Sequence, residues 1–409
     1  MALTREEIGR RIRSARESCA LTQEQLGDLV EVSRLAIGQI ESGSRAVNSL
    51  ELDRIAHAVG RDIKSFFEDN FEEQDALSAL FRSDAQLTEH AELVQALQDS
   101  LALGREVTNL ERLLGISRAQ ILPATYDLPA PKSRWTAIQQ GQKVAADERQ
   151  RLALGNTPIS DLAELFESQG LRTGAVSLPD NISGLMLSDA KIGVFIVINS
   201  DHAPLRRRFS LAHEYAHVLI DRHRIGTPSR AENRADLLEV RANAFAAELL
   251  MPSESIMLFI QSLGKGAASR AQVTIFDEID VVQAEQRAAP GSQDIQLYDV
   301  ALLAHHFGVS RIAMIYRLRN LKLLDESELQ RLIAQEQAGE GKEIAEFLHA
   351  PEPVAEVNLS DDFRRRFLSL ALEAYRREEI TLSKLNELAS MVGVERVGLS
   401  RMLASVGLD

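Results

Sequence analysis

The chain has 409 residues, one cysteine (Cys19) and a formal net charge of −14. This length allows two to four domains, the single cysteine excludes an internal disulfide and suits a reducing cytoplasm, and the acidic balance confines any DNA contact to a local surface. Residues 1–16 lack the apolar core of a secretory signal and no run approaches the length that spans a bilayer, so we expect a cytoplasmic protein without a membrane contact.

Residues 1–68 are predicted to form a domain of five short helices. Thr22 and Ser33 each precede an apolar-periodic run and are placed to cap the second and third helices. The segment resembles the helix-turn-helix domain of the phage-repressor (Xre) type through two runs, Leu21-Thr22-Gln23-Glu24-Gln25-Leu26 and Val32-Ser33-x-x-Ala36-Ile37-x-x-Ile40-Glu41-x-Gly43.

The resemblance implies a specific DNA operator as partner, read by a dimer on a two-fold repeat. In such domains the second helix of the motif enters the major groove, and its early residues meet base edges. We predict base contacts from Ser33, Arg34, Leu35, Gly38 and Gln39, and phosphate contacts from Gln23 and Arg45. Residues 1–67 hold equal numbers of basic and acidic side chains. Counterion release therefore contributes little to binding, and a domain that binds protein instead of DNA stays an alternative.

Residues 69–134 are predicted to form a helical connector. They are polar and carry few motifs. Three prolines (Pro123, Pro129 and Pro131) precede the lone Trp135 and mark the boundary to the next domain.

Residues 135–325 contain the run that indicates the chemistry, His213-Glu214-Tyr215-Ala216-His217. On a helix, positions i and i+4 lie on one face, so both imidazoles can reach one metal ion, and Glu214 is placed to take a proton from a water at the metal. Pro204 suits the first turn of this helix, and the apolar run 193–199 before it is typical of a strand. A structural helix with two hydrogen-bonded histidines is the alternative.

A catalytic zinc site needs a third protein ligand, and two residues compete for this position. His223 has the metzincin spacing H-E-x-x-H-x-x-G-x-x-H, but Ile220 stands where that motif has the glycine that breaks the helix. Glu239 lies in a helix-compatible run that ends at Pro252 and would complete a set of two histidines and one glutamate. We favour Glu239.

Two runs, Arg208-Phe209-Ser210-Leu211-Ala212-His213-Glu214-x-x-His217 and Glu239-x-x-Ala242-Asn243-x-Phe245-Ala246-Ala247-Glu248-Leu249-Leu250-Met251-Pro252, resemble the ImmA/IrrE-type metallopeptidases. The resemblance implies that His213, His217 and Glu239 bind the metal and that Glu214 is the general base. Zinc is the expected ion, with manganese as the alternative. Two positions depart from the family: many relatives have Gly in place of Ala216 and often His in place of Asp221. We expect Asp221 to be a solvated acid at the helix end.

A weak internal repeat extends into residues 326–409, which are predicted to be helical. Its copies are Gly115-Ile116-Ser117-Arg118, Gly308-Val309-Ser310-Arg311 and Gly393-Val394-Glu395-Arg396, and each lies between two short apolar-periodic helices as Glu31-Val32-Ser33-Arg34 does. We interpret the three copies as helix-turn-helix packing used as a scaffold. The copy at 385–404 has no acidic excess on its last helix and is a candidate sensor or dimer element.

Together these features predict a mainly α protein with a small α+β zincin-like peptidase domain, an N-terminal five-helix DNA-binding domain and a helical C-terminal region. Family resemblance implies a transcriptional regulator that cleaves one repressor-like protein, such as an Xre-type repressor encoded nearby, in response to a signal. We expect this substrate to bind in extended form along the edge of the strand around 194–198. The alternatives are a non-catalytic DNA-binding antitoxin or repressor whose zinc fold serves interaction or sensing, and cleavage of the chain by itself.

Overall fold

The computed structural model describes residues 4–19, 21–59, 61, 63–67, 91–116, 123–189, 193–222, 229–230, 235–265, 270–276, 281–287, 293–349 and 359–406. Within these residues the fold is mainly helical, with one four-stranded and one two-stranded sheet. The predicted fold class, mainly α with a small α+β domain, is confirmed. In the same part of the chain, none of the helices has the length and apolar character needed to cross a membrane.

The N-terminal domain has the five predicted helices. They are α1 (Arg5–Ser18), α2 (Gln23–Leu29), α3 (Arg34–Glu41), α4 (Ser49–Ala58) and a 3₁₀ helix (Ile63–Phe67). Both predicted caps are present, because Thr22 accepts a hydrogen bond from the backbone N–H of Gln25 and Ser33 accepts one from Ala36. The apolar faces of the helices meet in a core that also encloses the Cys19 thiol.

A mixed sheet and four helices form the centre of the molecule. These elements are α6 (Arg134–Arg151), α7 (Leu162–Ser168), β1 (Arg172–Val176), β2 (Ile182–Asp189), β3 (Gly193–Asn199), α8 (Pro204–Ile220), β4 (Ser229–Arg230) and α9 (Leu237–Leu250). The strand order is β1-β3-β2-β4. Along β3 the side chains alternate, since Ile196 and Ile198 pack in the core that contains α8, whereas Phe195 and Val197 pack with the helix-turn-helix core.

The position of β3 overturns one expectation. Thr173 of β1 pairs with Ile196 on one side, and Met186 of β2 pairs with Ile196 on the other, so β3 is an interior strand. Its backbone N–H and C=O groups are used within the sheet, and no peptide can add to it as a further strand. The prediction that a substrate binds along the strand around 194–198 is wrong. The continuous apolar run of β3 is typical of a strand buried on both faces, not of an edge strand.

The helices α6 and α9 pack against each other at very short range, next to α8, the helix that carries His213 and His217. A Cβ on Gly141 would lie 2.2 Å from the carbonyl oxygen of Arg241, so only glycine permits this approach. The elements that follow are α10 (Ser253–Ser262), β5 (Arg270–Phe276), β6 (Val281–Arg287), α11 (Leu297–Phe307), α12 (Arg311–Asn320), α13 (Glu326–Gln337) and α14 (Glu340–Phe347). The core around α8 includes Leu329 and Leu332 of α13.

A separate cluster joins the connector to the C-terminal helices. Its elements are α5 (Ala91–Leu113), α15 (Leu359–Arg376), α16 (Leu382–Met391) and α17 (Arg396–Val406). Leu110, Phe367, Leu388 and Leu399 pack together in it. The helix α5 also contacts the N-terminal domain, where Asp99 lies 3.1 Å from the His57 ring.

Candidate metal centre and DNA surface

Helices α8 and α9 bring three donor side chains to one point. The Nε2 atom of His213 lies 3.1 Å from a carboxylate oxygen of Glu239, and the Nε2 atom of His217 lies 3.5 Å from the other. The two Nε2 atoms are 3.2 Å apart. All three side chains are buried, and in the described residues this is the only group of three or more His, Cys, Asp or Glu residues with metal-ligand spacing.

The separations fit a tetrahedral ion. Donors about 2.0–2.1 Å from a tetrahedral zinc lie about 3.3 Å from one another, and the observed values bracket that distance. The other ring nitrogens are also held: Nδ1 of His213 lies 3.0 Å from Oδ1 of Asn243, and Nδ1 of His217 lies 3.1 Å from Oδ2 of Asp221. With Nδ1 as the donor, each Nε2 presents a lone pair toward the Glu239 carboxylate. Such a convergence of acceptors suits a cation.

Asp221 is buried, not solvated as expected. It is 2 % exposed, and its second oxygen accepts a hydrogen bond of 2.5 Å from Arg241, which also donates to Gln140. The expectation is wrong because the end of α8 packs on α9, so the residue four positions after His217 faces inward. Burial lowers the pKa of the His217 imidazole, but the Asp221 hydrogen bond and the nearby Glu239 and Glu214 carboxylates outweigh it, and the net shift is upward.

Glu214 lies on the side of α8 that faces the sheet, with no solvent exposure. A Cβ on Gly184 of β2 would be 3.1 Å from Oε1 of Glu214 and 2.9 Å from the carbonyl oxygen of Val197. Gly184 therefore provides the space that the carboxylate occupies. Sequence reasoning missed this residue, although an isolated glycine inside a strand often indicates a close approach of another group.

Of the two candidates for third ligand, the structure places Glu239 beside the histidines. His223 lies outside the described residues. The predicted set of His213, His217 and Glu239 is thus brought together, and Glu214 follows His213 directly on α8.

The residues predicted to contact DNA, on α3 and around it, divide into two groups. Arg34, Leu35 and Gln39 are exposed on the helix, while Ser33 is exposed and caps it. The residues predicted to contact phosphate are engaged within the domain. Gln23 donates to Glu41 at 2.8 Å, and Arg45 forms an ion pair with Glu51. Among the described residues, the side chains of Arg34 and Gln39 form no such bond, whereas Ser33 accepts the capping hydrogen bond from Ala36.

The comparison with known families matches two separate parts of the chain, one in the N-terminal domain and one in the domain that holds the metal cluster. Residues 7–63 match the model of a helix-turn-helix domain, and residues 167–274 match that of the IrrE N-terminal-like domain of the M78 peptidases. The protein joins a helix-turn-helix domain to an IrrE N-terminal-like domain. The second of these is a zinc-metallopeptidase-like domain, and it contains the cluster of His213, His217 and Glu239. A search of curated proteins finds no match.

Buried hydrogen bonds support the motif helix of the IrrE N-terminal-like domain from the side opposite the metal cluster. Tyr215 donates to Glu148, and its ring stacks on Phe166 with centroids 4.0 Å apart. Tyr126 donates to the other oxygen of Glu148 at 2.9 Å. Burial, followed by the Glu148 charge and hydrogen bond, raises the pKa of Tyr215, so the phenol keeps its proton. These contacts fix the rotation of α8 about its axis.

A cavity of about 890 Å³ lies between α6, α9 and α12, and its lining includes Asn243, the hydrogen-bond partner of His213. Phe209, one turn before His213 on α8, also lines it. Two aromatic side chains are exposed at its walls, Trp135 with 63 % of its surface and Tyr316 with 50 %. Exposed aromatic side chains beside a groove are typical of protein-binding surfaces.

Proposed function

We propose that the protein is a DNA-binding transcriptional regulator whose IrrE N-terminal-like domain is a zinc-dependent endopeptidase acting on one specific protein. The observation that carries this proposal is the convergence of His213, His217 and Glu239 next to the buried carboxylate of Glu214. A structural helix with two satisfied histidines would not need three acceptor atoms within 3.1–3.5 Å of one another.

In this proposal His213, His217 and Glu239 hold the ion, zinc by default and manganese as the alternative. A bound zinc polarises the scissile carbonyl and lowers the pKa of water towards about 7. Asn243 and Asp221 hold the two imidazole rings in the orientation that the ion requires. Replacing either partner would loosen a ligand without removing it.

Glu214 is the proposed general base. Its carboxylate accepts a proton from the attacking water and then delivers a proton to the amine that leaves when the peptide bond breaks. Gly184 leaves room for the carboxylate against β2, and burial of Glu214 keeps bulk water away from it. The orientation of the base is thus set by the sheet, while the orientation of the ligands is set by α9.

The substrate-binding surface proposed here is the cavity between α6, α9 and α12, since β3 is an interior strand. Its walls expose Trp135 and Tyr316, and its lining includes Asn243, which hydrogen-bonds to His213. A surface of this kind selects a folded partner with a complementary segment, and not unfolded chains in general. We propose as substrate a repressor-like protein, such as an Xre-type repressor encoded nearby.

The helix-turn-helix domain supplies the DNA contact. Residues 1–68 are proposed to bind a specific operator through Arg34 and Gln39, which α3 exposes, with a dimer reading a two-fold repeat. Binding to the operator would bring the peptidase to a repressor that occupies the same promoter.

One observation favours a second candidate function, a non-catalytic antitoxin or repressor in which the metal serves sensing or interaction. The three ligand side chains are only 6–9 % exposed, which is a low accessibility for a site that must receive a peptide. A site closed to substrate is typical of structural metal ions.

The two functions are separated by incubating the zinc-loaded protein with the product of its neighbouring gene, and with an unrelated denatured protein. We expect a single cut in the first and none in the second. Glu214→Gln should keep the metal and abolish the cut, since the amide has nearly the same shape but cannot accept the proton. Degradation of both proteins would contradict a specific regulator. Absence of any cut, with single-stranded DNA or oxidised metabolites added as activators, would favour the non-catalytic function.

A further inference from the structure

The C-terminal pair α16 and α17 repeats the turn geometry of α2 and α3. Both turns contain a residue with positive φ, Glu31 at 58° and Gly393 at 71°. One position later, Val32 donates its N–H to the carbonyl of Gly27 at 2.9 Å, and Val394 donates to Ala389 at the same distance. The two turns therefore join their helices through the same backbone hydrogen bond.

The buried positions of the two units correspond as well. Counted from the turn, Leu388 of α16 matches Leu26 of α2, and Leu399 of α17 matches Ile37 of α3. All four side chains are 3 % exposed or less. The second helix of each pair thus presents the same face to its own core, and the opposite face is presented outward.

The outward faces match at several positions, although the acidic Glu395 precedes α17 where Ser33 precedes α3. Arg396 occupies the position of Arg34, Val397 that of Leu35, and Arg401 that of Gln39. All of these side chains are exposed, with 72 % of Leu35 and 68 % of Val397 accessible. From Arg396 to Val406, α17 contains two arginines and no acidic residue, although the chain as a whole is strongly acidic.

A third copy of the turn shows what the same motif looks like as a scaffold. Between α11 and α12, Gly308 has a φ of 66° and Val309 donates to the carbonyl of Ala304 at 3.1 Å. The residue equivalent to Arg34 is Arg311, which is buried and lies 2.8 Å from Glu336. The arginines of α12 are thus used inside the protein, and this copy agrees with the scaffold interpretation.

In α17 the arginines are not used in this way. Among the described residues, neither Arg396 nor Arg401 forms an ion pair, and both are exposed. Arg34 of the matched helix-turn-helix domain is likewise exposed and forms no ion pair among the described residues. Two exposed guanidinium groups on one helix, without an ion-pair partner among the described residues, are suited to an anionic partner, whereas a scaffold helix pairs its arginines as α12 does.

We propose that α16 and α17 form a second DNA-binding helix-turn-helix unit, with α17 entering the major groove of duplex DNA. Arginine is suited to guanine edges and to phosphates, which gives roles to Arg396 and Arg401. A serine hydroxyl can donate to or accept from any base edge, which gives a role to Ser400. Val397 is suited to contact a thymine methyl group. This proposal differs from the scaffold interpretation of residues 385–404, and the experiment below decides between them.

Both units dock on the connector helix α5. At one end of the contact region His57 of α4 lies 3.1 Å from Asp99, and at the other Lys384 of α16 lies 3.0 Å from Glu106. One chain therefore carries two reading helices on a common support. The full-length protein should bind DNA through both, and each should contribute separately to affinity.

The test is fluorescence anisotropy of the full-length protein on a duplex from its own promoter region, as a function of salt. Arg396→Ala/Arg401→Ala should weaken binding about tenfold or more and reduce the slope of log K against log salt by about 1.8, since each lost phosphate contact contributes about 0.9. Lys132→Ala/Lys342→Ala removes the same charge from exposed positions elsewhere and should change neither quantity. Affinity and slope equal to those of this control would overturn the proposal.

A second pair of variants separates this inference from the N-terminal DNA contact. Arg34→Ala/Gln39→Ala should leave residual binding that disappears only when Arg396 and Arg401 are also replaced. If the α3 variant removes all binding and the α17 variant none, the inference fails and the N-terminal contact stands. If the α17 variant removes all binding and the α3 variant none, the inference stands and the N-terminal contact fails. If Arg396→Ala/Arg401→Ala changes the mass of the DNA-free protein in solution but leaves its DNA affinity unchanged, the exposed face of α17 is a protein contact and the inference is overturned.

Discussion

Gly184 of β2 lies directly against Glu214 of α8, so that a Cβ at position 184 would stand 3.1 Å from the carboxylate Oε1. The same Cβ would stand 2.9 Å from the carbonyl oxygen of Val197 in the neighbouring strand. A side-chain atom on this glycine must therefore displace either the proposed base or the backbone of β3. Strand β3 is hydrogen-bonded to β1 on one side and to β2 on the other, so it cannot move easily. The Glu214 carboxylate is therefore the group that would shift.

Gly184→Ala is expected to lower kcat about tenfold or more while zinc content stays at one ion per chain. The displacement of Glu214 misplaces the base by a few tenths of an ångström or more, and catalysis depends steeply on such distances. The proposed ligands are other side chains, His213 and His217 of α8 and Glu239 of α9, and a Cβ on Gly184 meets none of them. Single-turnover cleavage of the partner protein and metal analysis of the purified variant test this. Wild-type kcat in the variant would contradict the placement of the base.

Glu239→Ala should abolish metal binding, because two imidazoles alone leave the tetrahedral site with half its ligands. His223→Ala is the matched control and should keep the metal. Both variants can be dialysed against the same zinc buffer and measured for bound metal. Metal retained in Glu239→Ala and lost in His223→Ala would show that the metzincin-like arrangement is the correct one.

Asp221→Asn should weaken zinc binding about 10–100-fold, the range typical of partners that orient metal-ligating histidines. The change also removes the negative charge beside Arg241, which is 2 % exposed. Breaking such a buried pair destabilises a protein by about 3 kcal/mol or more, so the melting temperature should fall as well. Glu326→Gln, which breaks the exposed pair with Arg319, is the control and should cost about 1 kcal/mol or less. Equal zinc affinity in Asp221→Asn and this control would contradict the orienting role.

The sequence was sufficient for residues whose placement follows from helical spacing. His213 and His217 are four positions apart on one helix, and Glu239 lies in the first turn of α9, which packs on that helix. The same reasoning misjudged Asp221, because whether the end of α8 faces solvent depends on how α9 packs, and that packing depends on Gly141 at a distant position. It also misjudged β3, since strand order is set by tertiary pairing with β1 and β2. Gly184 was missed for the same reason, because its partner Glu214 lies 30 residues away in the chain.

The last prediction concerns the groove between α6, α9 and α12. Trp135→Ala and Tyr316→Ala should each raise KM for the partner protein about tenfold while kcat stays within about twofold, because truncating an aromatic anchor at an interface typically costs about 1–2 kcal/mol. Neither residue contacts the ligands, so cleavage of a short peptide spanning the scissile bond should be unaffected. Phe347→Ala removes an aromatic side chain that is 84 % exposed outside the groove and should leave both parameters unchanged. A rise in KM for the short peptide as large as for the protein would show that the two aromatic residues shape the active site itself. An unchanged KM for the protein would place the docking surface elsewhere.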